Sequence, residues 1–254
     1  MMKYPAMIIG LILLATGAFS QPAGQESMME RANQSYSSDD YAAAISDYES
    51  VIASGYESPA LYFNLGNAHF KLNNIPAAIL YYEKAMKLDP TDENIRFNLD
   101  LANSRITDKI EPLPEFFLKT WWRSARDMLS SDQWAKTGVA GFILALASIA
   151  FFIISRSVSM RKIAFWTGMT FLVLLTVSIL FSISGYHDYS RQSSAIVFSP
   201  TVTVKSSPNE SSVDLFVIHE GTKVTITDLV EGWSEVRLAN GNVGWVKNDT
   251  FRRI

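Results

Sequence analysis

The chain has 254 residues, a net charge of −3, no cysteine and 3 histidines. Zero cysteine excludes disulfides, thiolate nucleophiles and Cys-ligated zinc. The charge is uneven: residues 21–115 carry 7 basic and 15 acidic side chains, 116–192 carry 8 and 3, and 193–254 carry 6 and 7. The acidic first part is a poor surface for nucleic acid, while the basic middle suits a segment against anionic lipid.

Residues 1–20 read as an export signal. Lys3 opens it, an apolar stretch follows, and Ala18-Phe19-Ser20 places small residues where a signal peptidase reads. Cleavage would leave Gln21 first; the alternative is an uncleaved anchor.

Residues 25–58 and 59–92 then repeat with a period of 34. The second copy holds Tyr62, Leu65, Gly66, His69, Ala78, Tyr82, Ala85 and Pro90, and the first keeps Ala32, Ala44 and Tyr48. Small Gly66 and Ala78 suit a close helix crossing, Tyr62, Leu65 and Tyr82 fill it, and Pro90 stops the second helix. Asp39-Asp40 and Asn73-Asn74 are predicted N-caps. A further helix near 92–109 is expected to act as a solvating cap.

These positions resemble the tetratricopeptide repeat, W-x2-L-G-x2-Y followed by A-x3-F and a late Pro. The resemblance implies a groove for peptides or partner helices, here faced by Asn33, Phe63, Asn64, Asn67 and Phe70. Met29, Asn94 and Asn98 stand where cations would complete a carboxylate clamp, so that clamp is not expected. The alternative is that Asn64 and Asn67 only satisfy backbone groups between helices.

Pro112 and Pro114 end the repeat module, expected over 25–110. Within 115–132, Phe117, Leu118, Trp121, Trp122, Ala125, Met128 and Leu129 recur at helical spacing, with Lys119, Arg123 and Arg126 opposite. This predicts an interfacial amphipathic helix, or alternatively one packed on the repeats.

Residues 137–155 and 163–185 are uncharged runs of 19 and 23 residues. At about 1.5 Å per residue they reach roughly 28 and 35 Å, enough to cross a bilayer. The basic connector 156–162 makes them a transmembrane hairpin with the connector inside and both flanking modules outside. Trp134, Trp166, Tyr186 and Tyr189 mark the span ends. Neither span holds an ionisable residue, which disfavours a transport or pore-forming role.

From residue 193 to 254 the period becomes two: Val202 with Val204, Val224 with Ile226, Val236 with Leu238. Asn240-Gly241 signals a hairpin in which both residues take positive φ. About five strands are expected in a small barrel. Val202 through Pro208, Glu220-Gly221, Gly232-Trp233 and Gly241 through Val246 resemble, in that order, a bacterial SH3 domain. That resemblance implies binding of peptides or cell-wall peptides, with Trp233 and Trp245 as contacts; alternatively both fill the barrel interior.

The expected fold class is therefore multidomain: an all-α helical repeat, a two-helix transmembrane hairpin and a small all-β SH3-like barrel. The three histidines lie in three different segments, and no nucleophile elbow, phosphate loop, metal cluster or cofactor motif is evident, so no enzyme is expected.

The order of modules, with the run from Ile106 to Phe117, resembles the E-type members of the Bacteroides aerotolerance (Bat) group. The resemblance implies a scaffold in the bacterial inner membrane, with both soluble modules in the periplasm. Its implied partners are von Willebrand A domain proteins and a MoxR-type ATPase, with a link to aerotolerance or stress. Peptidoglycan binding through the SH3-like domain is the alternative function.

Overall fold

The computed structural model describes residues 23–190 and 193–254. The 1–20 signal lies outside the described residues, as does the side chain of Tyr189. The chain divides into two compact units, up to Tyr56 and from Glu57 onward.

The first unit holds helices α1 (Ala23–Ser37) and α2 (Tyr41–Ala53). Asp40 caps α2, its side chain accepting the Ala43 N–H, and Asp39 takes a left-handed φ of 61° to make the turn. Ala32, Ala44, Tyr48 and Val51 are buried.

The second unit opens with α3 (Pro59–Lys71), α4 (Ile75–Leu88) and α5 (Glu93–Asn103). Asn74 caps α4 and Asn73 has φ 59°, the same turn one period later. Gly66 is required by a close crossing: a Cβ there would lie 2.7 Å from the Tyr82 ring. The cap helix is shorter than the sequence predicts, starting from Asp92 as N-cap and ending at Asn103.

Helix α6 (Phe117–Arg126) is shorter than the predicted 115–132 segment, because residues 127–130 turn into α7 (Ser131–Ile154). Ser130 and Gln133 form a capping box at that turn. Helix α8 (Val158–Ser190) follows after only three non-helical residues, so residues 158–162 of the predicted connector, with Arg161 and Lys162, are helical.

The two helices pair through small residues: Gly138, Gly141 and Ala145 on α7 and Ala164 and Ser178 on α8 are buried. At one end Ser131 and Ser182 each donate a hydroxyl to the other's carbonyl, at 2.8 and 3.1 Å. The remaining faces stay apolar and exposed, including Phe142, Ile153, Val173 and Ile183. Only 17% of each apolar window is buried. Two helices here are thus long and apolar enough to cross a membrane, and they lack the burial of a soluble core.

The barrel contains seven strands rather than about five, antiparallel in the order β3-β2-β6-β5-β4-β1-β7. They are β1 (Ser194–Val197), β2 (Thr201–Lys205), β3 (Asp214–His219), β4 (Lys223–Val230), β5 (Trp233–Arg237), β6 (Val243–Lys247) and β7 (Phe251–Arg253). The interior holds Val202, Val204, Ile218, Val224, Val236 and Val246. The Asn240-Gly241 hairpin differs from expectation. Only Gly241 has a positive φ, 87°, and its N–H closes a turn onto the Leu238 carbonyl at 2.9 Å.

Within this second unit the repeat helices and the barrel pack directly together. Ala78, Ile79 and Leu80 of α4 and Leu99 of α5 form one buried cluster with Ile196 of β1 and Ile254. Lys223 Nζ lies 2.7 Å from Glu83 Oε2. The proline-containing segment after α5 straps the barrel: Ile110 packs on its core, and the Leu113 N–H donates to the Ala239 carbonyl at 3.0 Å.

Candidate binding surfaces

Of the five groove residues read from the sequence, Asn33 belongs to the first unit and Phe63, Asn64, Asn67 and Phe70 to the second. Asn33 Oδ1 accepts the Tyr48 hydroxyl at 2.6 Å. One period on, Asn67 Oδ1 accepts the Tyr82 hydroxyl at 2.7 Å and also the Asn98 amide at 2.9 Å. These asparagines pin helices within a repeat, and Asn67 ties α5 as well. Asn67 thus bonds side chains of the neighbouring helices, Tyr82 and Asn98, rather than the backbone that the alternative reading expects. The Asn-x14-Tyr spacing recurs at period 34 and could have been read from the sequence.

Phe63 and Phe70 are half-buried against the cluster shared with the barrel. The Phe63 ring lies 5.9 Å from that of Tyr82, and the Arg105 guanidinium 4.2 Å from the Phe70 ring. Asn64 is half-exposed. A residue the sequence reading missed is Phe97, which stands 34 positions after Phe63 and is 67% exposed on α5 with Leu101 one turn further. The predicted solvating helix therefore presents an apolar patch.

His69 stacks on Tyr81 at 5.3 Å, and its Nε2 is buried without a hydrogen-bond partner among the described residues. Burial, helped by Arg252, pushes its pKa down to about 4, so it packs as a neutral ring.

His219 does more than end β3. Asp108 Oδ2 accepts the His219 backbone N–H and the Thr222 hydroxyl, each at 2.7 Å, while Oδ1 lies 2.8 Å from His219 Nδ1. Burial alone would raise the Asp108 pKa; the bonds from Thr222 and His219 outweigh it and hold the carboxyl below its ordinary value.

On the barrel, Trp233 and Trp245 are half-exposed and absent from the interior cluster. The alternative that they fill the barrel is corrected by the pleat. Ser234, Val236, Gly244 and Val246 are buried, so the alternating positions point outward. Trp233 pairs with Lys247 and Trp245 with Glu235, setting the two indoles diagonally on adjacent strands. Lys205 pairs with Trp245 on the other side and lies 2.5 Å from Asp214, and Lys247 pairs with Glu210. The result is an aromatic face rimmed by both signs of charge.

Residues 59–92 match the tetratricopeptide repeat family, and residues 200–251 match the bacterial SH3 domain. The repeat match covers the same span as the second sequence copy. No curated protein matches the chain. Among solved structures, the C-terminal SH3 domain of myosin IB from Entamoeba histolytica is similar, with 27% identity over 22% of this chain and 93% of that one, at a TM-score of 0.16. The repeat and SH3 domains together point to protein binding or cell-wall binding.

Proposed function

We propose that this chain is a non-enzymatic interaction scaffold of a bacterial envelope, held in the inner membrane by α7 and α8 with both modules in the periplasm. The contact between α4–α5 and the barrel carries this reading. Groups 2.7 Å apart, such as Glu83 and Lys223, must share one compartment, and the chain between them holds both apolar helices. An even number of crossings satisfies that. The basic turn of Arg156, Arg161 and Lys162 supports placing the turn in the cytoplasm, and the predicted export signal supports placing the modules outside.

The module order, by its resemblance to the Bat group, supports von Willebrand A domain proteins and a MoxR-type ATPase as partners and a role in aerotolerance or stress. Crosslinking in intact cells, followed by identification of proteins bound to the full chain, tests this. Recovery of membrane partners that is reduced by Phe97→Glu supports a scaffold; no recovered partner contradicts it.

The outward Trp233–Trp245 face favours a second reading, binding of cell-wall peptide. Purified peptidoglycan should then sediment the detergent-solubilised full chain, and Trp245→Ala should release it. A chain that stays in the supernatant contradicts this reading.

A further inference from the structure

We propose that the turn end of the α7–α8 hairpin holds a specific site for one anionic phospholipid. The inference rests on the membrane reading above and extends it to a ligand. A hollow of about 250 Å³ opens there, lined by Phe152, Val158, Arg161, Lys162, Phe165 and Trp166. Two of these six side chains are cations and none is acidic. The sequence holds no acidic residue between Asp132 and Asp188, so no carboxylate of either span neutralises them. The Arg161 guanidinium lies 4.7 Å from the centre of the Phe152 ring, which fixes a planar donor beside the hollow. Trp166 of the same lining is 67% exposed, and such amphipathic rings settle near headgroups.

Along α8 the lining sets Arg161 and Lys162 about one helical turn before Phe165 and Trp166, so cations adjoin apolar rings on the bilayer side. A phospholipid matches both parts: its phosphate meets Arg161 and Lys162, and its glycerol and upper acyl chain meet Phe165 and Trp166 one turn further along α8. Free phosphate offers the first match alone. The mixed-charge cleft at the opposite end of the hairpin, where Glu83, Asp127 and Asp132 accompany the cations, lacks this one-sided charge.

The test uses the full chain in phosphatidylcholine nanodiscs doped with phosphatidylglycerol, with retained lipid counted by native mass spectrometry. Retention of phosphatidylglycerol over phosphatidylcholine is expected, falling about thirtyfold in the Arg161→Gln/Lys162→Gln variant. Arg161→Lys should keep most of it. Arg156→Gln, which removes a cation of the same turn outside the hollow, should have a smaller effect than Arg161→Gln. Equal effects at 156 and 161 would mean a diffuse field and overturn the site. Displacement of the lipid by excess inorganic phosphate would overturn the lipid assignment in favour of a phosphate site. Unchanged thermal unfolding of the variants excludes misfolding as the cause of lost lipid. Extraction of the wild-type chain from vesicles by alkaline carbonate would instead overturn the membrane reading itself.

Discussion

His69 and Asp108 show how single side chains set the stability of this fold. The folded His69 has a pKa of about 4 against about 6.5 in an unfolded chain, so below pH 6.5 the unfolded state takes up the proton first. Stability should fall as pH drops from about 6.5 to 4, and a His69→Phe variant, which keeps the ring on Tyr81, should show a shallower slope. Thermal unfolding across that range checks it; parallel slopes would contradict the assignment. Asp108 acts at lower pH. Its folded pKa is depressed, so its contribution is present above about pH 4 and is lost as pH falls through the folded value. Asp108→Ala removes the acceptor for the His219 N–H and the Thr222 hydroxyl and should cost about 2 kcal/mol in denaturant unfolding. No cost would mean that the strap is incidental. The chain shows Asp108 only as one acidic residue among many, because its partners lie more than a hundred positions away.

At the level of elements, local pattern was a good guide and register supplied the rest. The caps at Asp40 and Asn74, the Gly66 crossing and the alternating barrel strands follow from short-range rules, and the structure contains each of them. The face of the two tryptophans did not follow, since an aromatic in a strand fits the core or the surface until its neighbours are known. The buried Ser234, Val236 and Val246 decide it. Trp245→Ala should therefore leave barrel stability within about 1 kcal/mol of wild type, while Val236→Ala, fully buried, should cost about 2 kcal/mol. A larger loss at Trp245 than at Val236, measured by urea unfolding, would return the indole to the core. The lengths of α6 and of the turn before α8 also escaped the sequence. Amphipathic spacing runs on through residues 127–130, where the Ser130 cap starts a new helix instead.

Across the whole molecule, the sequence separates three modules by composition, and nothing local announces that two of them dock. Ile79, Ile196 and Ile254 each look like ordinary core residues of their own module, yet they share one cluster. The strap from Asp108 to Leu113 reads as a proline linker and instead lies along the barrel. That docking is the reason a two-helix hairpin, rather than one crossing, fits the chain. The most direct test exploits the absence of native cysteine. Single cysteines placed by Asp100→Cys on α5, Glu231→Cys in the barrel and Ser159→Cys at the hairpin turn would be treated with a membrane-impermeant maleimide in spheroplasts. The account predicts labelling at 100 and 231 in intact spheroplasts and at 159 only after permeabilisation; opposite accessibility of 100 and 231 would contradict it.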